Sequence, residues 1–385
     1  MKTLNEAANQ WASRPADERY WTLTDCYEAA RVTQDACMVG KIDARDLSVK
    51  HIDGDLYVNG KTRQAKLNNW SFSQLCGRAH APAGYLTGLS DETASKALQE
   101  GLARSESENC SLLVQETRSN DSALVCRAIT SDKYTRIWNG DVLNRLIALE
   151  QSGWKVPPAR PSRGNSETRI ATENDVLRNA AHPTLGIKVG DEISPAGIYL
   201  SDRDFFAFMV EEDHPITDNG NVLYRGFFTT NSEVGATALT VTQFLLNSVC
   251  GNHIVWDVSE VKKLRIVHRG HADLRFDREF HAQLTEYANE SAGTVESKIR
   301  QARSFSLGDN KEQVLDFVFG KKFLTKSESE SCYQAAIDCA DLHSVDPNSA
   351  WGYAQGITSY SQRLSNTDDR TRLDTIAGKI IEVAF

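Results

Sequence analysis

The side chains best suited to chemistry lie in the stretch from 225 to 281 and in a smaller set around 127–145. From Lys262 to Arg278, six basic residues (Lys262, Lys263, Arg265, Arg269, Arg275, Arg278) stand against two acids, Asp273 and Asp277, a local +4 in a chain of net charge −9. Clustered Lys and Arg neutralise phosphates, so this reversal of sign is what a phosphate-tracking surface requires. If residues 263–269 form a strand, alternation puts Lys263, Arg265 and Arg269 on one face and Leu264, Ile266 and His268 on the other. Arg225 and Phe227 would share a face of a second strand, a cation beside a ring able to stack on an unpaired base. Arg127, Lys133, Arg136 and Arg145 surround Tyr134 and Trp138. The same residues also suit solvated sheet faces above ordinary core aromatics.

Two further groupings could carry catalysis. His268 and His271, with Asp273, Asp277 and His281 nearby, are ligand types for zinc or manganese. Their spacing is not diagnostic, and histidines on a strand–turn–helix path also cap or hydrogen-bond. Cys250 and His253 could pair as thiol and imidazole. Phosphate-loop, dinucleotide, serine-elbow, zincin and EF-hand motifs are all missing: Gly320-Lys321-Lys322 lacks both the upstream glycine and the following Ser or Thr of a phosphate loop. No cofactor is therefore expected, and binding is favoured over catalysis.

These residues need elements to position them. In an N-terminal α/β unit, 1–155, Asp55–Val58 reads as a strand and Ser71 with Gln74 as a capping box opening a helix. A second helix begins at Ser90, with Ala94, Ala97, Leu98, Gly101 and Leu102 on one face. Leu112–Gln115 and Leu124–Ile129 flank a turn at 118–121 and form a hairpin, and Asp141–Glu150 is helical. Residues 153–168, rich in Pro, Gly and Ser, form a connector or flap. A strand-rich central unit, 156–275, contains short β-branched and aromatic runs separated by Gly, Asn and Asp. The helical region 276–385 has its clearest start at Asp346-Pro347. The expected class is α+β: a central, mostly antiparallel sheet with flanking helices and a helical C-terminal region.

At 385 residues, 40% hydrophobic and 25% charged, the composition is that of an ordinary globular protein. Residues 1–20 show no secretory or transit pattern, and no run approaches the roughly 18 apolar residues of a bilayer span. Eight scattered cysteines without a CxxC pair read as reduced thiols. The cytoplasm is the expected location, with no membrane partner.

Three segments, His182-Pro-Thr-Leu-Gly-Ile-Lys-Val-Gly-Asp-Glu192, Ala196-Gly-Ile-Tyr-Leu-Ser-Asp-Arg-Asp204 and Arg225-Gly-Phe-Phe-Thr-Thr-Asn-Ser-Glu-Val-Gly235, resemble the phage- and plasmid-borne family called domain of unknown function 932. Supporting segments start at Trp70, Pro82, Arg127 and Ala350, and together they span most of 45–365. Gln355-Gly356 departs from the family's form. The resemblance implies a mobile-element protein and no particular reaction. A fold-level similarity to single-strand annealing recombinases, which build a basic groove in an oligomeric ring, adds an expectation by analogy. The expected function is non-catalytic binding of single-stranded DNA or RNA in replication or recombination, in a homo-oligomer. Arg225, Lys262, Lys263, Arg265, Arg269, Arg127, Lys133 and Arg136 would meet phosphates, and Phe227 would stack. The alternatives are a protein that binds a host defence protein, for which an acidic surface suits a basic partner, and a metal-dependent enzyme using His268, His271 and His281.

Overall fold

Short apolar and β-branched runs build two large sheets in this chain, and the candidate site lies where they meet. The computed structural model describes residues 16–59, 63–105, 109–117, 123–158, 167–177, 187–195, 197–218, 221–247, 253–254, 264–288, 292–343, 345–362 and 367–385. After helix α1 (Leu23–Asp35) come strands β1 (Cys37–Asp43), β2 (Ser48–Ile52), β3 (Asp55–Asn59) and β4 (Gln64–Leu67), helices α2 (Asn69–Arg78) and α3 (Asp91–Arg104), the hairpin β5 (Asn109–Glu116) and β6 (Leu124–Ser131), and helix α4 (Asn139–Glu150). The strands lie in the order β1-β5-β6-β4-β3-β2, antiparallel except for the parallel pair β4–β6. One sheet face buries Ile42, Val49, Val58 and Leu112 beneath Leu75, Leu98 and Leu102 of α2 and α3. Each such side chain contributes roughly 1.5–3 kcal/mol of transfer free energy.

β7 (Trp154–Lys155) joins the central sheet, and a small ladder of β8 (Arg169–Ile170) with β9 (Glu192–Ile193) stands apart from it. β10 (Ile198–Leu200), β11 (Phe205–Glu211), β12 (Ile216–Asp218), β13 (Asn221–Asn231), β14 (Leu239–Asn247), β15 (His253–Ile254) and β16 (Leu264–Ile266) follow. The path β10-β11-β13-β14-β15 is antiparallel, with β7 on β11, β12 on β13 and β16 on β14. One face packs Phe205, Met209, Phe227 and Val241 against α1 and α4. The other stacks Phe208 on Phe244 and Tyr199 on Phe206.

The C-terminal region is helical: α5 (His281–Ala288), α6 (Ala292–Ser304), α7 (Lys311–Gly320), α8 (Lys326–His343), α9 (Ala350–Gln362) and α10 (Thr367–Glu382). Tyr353, Ala354 and Ile357 of α9 share a core with Cys332, Leu373 and Ile380, and this core reaches Ile216, Leu223 and Leu245 of the central sheet. The fold is α+β, as the sequence predicts. Among the described residues no helix is long and apolar enough to cross a membrane. The described cysteines are free thiols.

Local expectations differ from the structure in four places. Asn68, not Ser71, caps α2: its side chain accepts from Ser71 N at 2.8 Å while Ser71 Oγ accepts from Asn68 N at 3.0 Å. This leaves Gln74 for other partners. α9 begins at Ala350 because Asp346 closes a turn on Asn348 N and Ser349 Oγ, accepting from Gly352 N at 3.0 Å, takes over the cap. The run 235–241, which the sequence presents as one of the central strands, enters its strand, β14, only at Leu239, after a loop that Ser232 Oγ holds by accepting from Ala236 N at 2.9 Å. The start of the 153–168 connector is sheet rather than linker, since Trp154 and Lys155 pair with β11. Residues 118–121 and 159–166 of these expectations lie outside the described residues.

Candidate anion-binding cleft between the sheets

The two sheets are joined by the loop between β13 and β14. In the β5–β6 ladder Leu113 pairs with Ala128 but Val114 with Cys126, so Arg127 is the extra residue of a bulge. Bulges re-aim side chains. Arg127, 4% exposed, donates from Nη1 to Glu233 Oε2 at 3.0 Å and from Nη2 to Asp202 O at 3.3 Å. Glu233, 2% exposed, also accepts from Asn139 N at 2.9 Å, and its carbonyl accepts from Arg136 Nε at 2.7 Å. Tyr134 Oη donates to Ser232 O, while Trp70 Nε1 and Gln74 Nε2 both donate to Val234 O. Cys37 lies 3.5 Å from Arg127 Nη1, but burial pushes its thiol above the usual range despite that cation, so it is no activated nucleophile.

Beside this joint a cleft of about 810 Å³ opens between the layers. Arg78, His80 and Arg104 line it from the N-terminal unit, and Gly235, His268 and Arg269 from the central unit. Among the described residues no carboxylate lines it. Two arginines converge here because α2 and α3 approach closely: a Cβ on Gly101 would stand 2.5 Å from Ala79 O and 2.9 Å from Ala79 Cβ. The last turns of both helices therefore sit side by side, and each carries an arginine that offsets the negative end of its helix dipole. Arg104 pairs with Glu100 one turn away, but both are exposed, and such pairs bind weakly.

α2 ends in a hydrogen-bonded αL motif. His80 N donates to Gly77 O at 3.3 Å, Ala81 N donates to Cys76 O at 2.9 Å, and His80 has φ +52°. Glycine usually fills this position, and an L side chain there is strained. Across the cleft, Gly235 (φ +85°) turns the loop where a Cβ would stand 3.6–3.7 Å from Gln74, Thr130 and Tyr134. His268, 3% exposed, directs Nδ1 at Thr135 O, 3.1 Å away, and stacks on Tyr134 at 5.0 Å. The carbonyl can only accept, which fixes the proton on Nδ1. Burial drops this imidazole to about 4, so it is neutral at pH 7.

The sequence-predicted residues fare unevenly. Leu264, Ile266 and His268 are buried and Arg265, Val267 and Arg269 exposed, the alternation expected of that stretch. Of these cations Arg269 lines the cleft. Lys133 is exposed in the turn after β6, next to the lining residues Ser131 and Tyr134. Arg225 and Phe227 are corrected: they are 1% and 0% exposed, because β13 runs between β11 and β14 with both faces covered. Arg225 Nη1 donates to His214 O, and Phe227 packs on Trp154. Neither reaches a ligand. Arg127 and Arg136 likewise hold the joint instead of facing solvent, and Arg145 pairs with Asp277 at 3.2 Å.

Lys262, Lys263 and Cys250 lie outside the described residues. The metal grouping does not assemble. His268 faces Thr135, His271 and His281 are exposed, and among the described residues no three His, Cys, Asp or Glu side chains gather to hold an ion. Sequence reasoning missed Arg78, His80 and Arg104, since a basic residue in a last helical turn reads simply as a C-terminal signal. Comparison of the chain with protein-family profiles, curated proteins and solved structures finds no match, so the family resemblance rests on its sequence segments alone.

Proposed function

We propose that the chain binds single-stranded nucleic acid without catalysis, through the cleft between its sheets. One observation carries this reading: Arg78, Arg104 and Arg269, from three separate elements, line one concavity with no carboxylate among its described lining residues, in a chain of net charge −9. Low-dielectric walls focus such a field, and a cationic concavity concentrates a polyanion more effectively than the same charges spread over a convex face. Exposed Lys133, beside the lining residues Ser131 and Tyr134, adds a further cation next to the cleft. The resemblance to phage and plasmid proteins gives replication or recombination as the setting.

Fluorescence anisotropy of a labelled 20-nucleotide strand at low salt tests the reading. Affinity should be micromolar or better. The double variant Arg78→Glu, Arg269→Glu should weaken it at least tenfold with an unchanged far-UV circular dichroism spectrum. Absence of binding by the unaltered chain, or equal binding by the folded double variant, would overturn it.

A further inference from the structure

Resting on that reading, we infer that the turn between α7 and α8 is a second contact for the single strand, where Phe319 stacks on an unpaired base and Lys321, Lys322 and Lys326 meet the phosphates beside it. Residues 317–327 hold these three lysines, three phenylalanines (Phe317, Phe319 and Phe323) and no acid, in a chain of net charge −9. The Gly320-Lys321-Lys322 run that fails as a phosphate loop lies at the centre of this stretch. All three lysines are exposed, and none of them pairs with a carboxylate among the described residues. The flanking acids are Asp316, back on α7, and Glu328. Glu328 is committed: one oxygen accepts from Thr325 N at 2.9 Å and Thr325 Oγ1 at 2.8 Å, and the other accepts from Arg372.

Hydrogen bonds and packing hold the turn in place. Lys321 N donates to Phe317 O at 3.1 Å and Lys322 N to Phe319 O at 2.9 Å, which closes the end of α7. Leu324 is buried in the C-terminal core, and Phe317 and Phe323 pack against it. Lys321 Nζ stands 5.5 Å from the Phe317 centroid, whereas Phe319 is 60% exposed. A lone exposed apolar side chain needs no explanation by itself. A ring held out beside three unpaired cations is different, because it joins the two groups that a single strand engages: a π-face for a base and ammonium groups for the flanking phosphates. A lipid surface calls for an apolar face of several residues, and only one of these three rings projects.

Anisotropy with the full chain compares two strands of matched phosphate number, one base-bearing and one abasic. Phe319→Ala should weaken the base-bearing strand about tenfold and leave the abasic strand unchanged, Phe319→Trp should retain affinity, and Lys321→Glu with Lys322→Glu should weaken both strands. If Phe319→Ala leaves the base-bearing strand unchanged, or weakens both strands alike, the stacking role is wrong while the cleft stands on its own arginine variants. If neither strand binds the unaltered chain, both readings fall. Co-sedimentation with vesicles of phosphatidylcholine and about 25% phosphatidylserine covers the other occupant: vesicle binding that Phe319→Ala abolishes, with strand affinity unmoved, would overturn the inference in favour of a membrane surface.

Discussion

At the scale of single residues, the joint and the cleft each rest on a few side chains held against their own preferences. Glu233 and Arg127 are buried together with their remaining hydrogen bonds satisfied, and removing one charge leaves the other uncompensated. Glu233→Gln should cost about 3–5 kcal/mol in urea unfolding, and a cost under 1 kcal/mol would show that the pair is not what ties the loop. His80 sits where glycine is preferred. His80→Gly should stabilise the fold by about 1 kcal/mol while weakening ligand binding, since strain kept at a surface residue points to use there. His268 has a folded value near 4 against 6.5 unfolded, so the unfolded chain takes up its proton first as pH falls. The stability His268 confers is complete above about pH 6.5 and is lost toward pH 4, on the order of 3 kcal/mol in all. Melts of the chain and of His268→Gln between pH 7 and 4 measure it; parallel curves would refute it.

At the scale of elements, the sequence was most legible where a pattern repeats. The helix after Ser90, the 109–131 hairpin and the strands of the central unit follow from periodicity alone, and Ser90 does cap α3 by accepting from Thr93 N. Legibility failed where one local signal competes with another. Asn68 outcompetes Ser71 as a cap, and Ser349 outcompetes Asp346, because each choice depends on the backbone turn that leads into the helix and not on the residue type alone. Arg225 and Phe227 show a deeper limit: alternation tells which side chains share a face but not that another layer covers it. Gly101 is legible only as a small residue on a helical face; its role is the approach of α3 to Ala79, which aligns Arg78 with Arg104. Gly101→Ala should cost about 1–3 kcal/mol and also lower affinity for the strand. Stability lost with affinity intact would separate helix packing from the cleft.

At the scale of the whole molecule, the candidate site belongs to neither sheet. Arg78 and Arg104 come from helices on the N-terminal sheet and Arg269 from beyond β16, and they reach one cavity because the loop at 231–236 is clamped from both sides and Tyr134 and Thr135 pair with the 268–270 segment. The basic stretch from Lys262 was visible in composition, but the arginines that meet its Arg269 stand 165 (Arg104) and 191 (Arg78) residues earlier in the sequence, and no spacing rule connects them. The most direct test is the salt dependence of single-strand binding for the chain and for the triple variant Arg78→Ala, Arg104→Ala, Arg269→Ala. Each phosphate contact on a single strand contributes about −0.7 to the slope of log affinity against log salt, so the triple variant should lose about 2 from the slope's magnitude. An unchanged slope and affinity in a folded triple variant would contradict the cleft as the binding site.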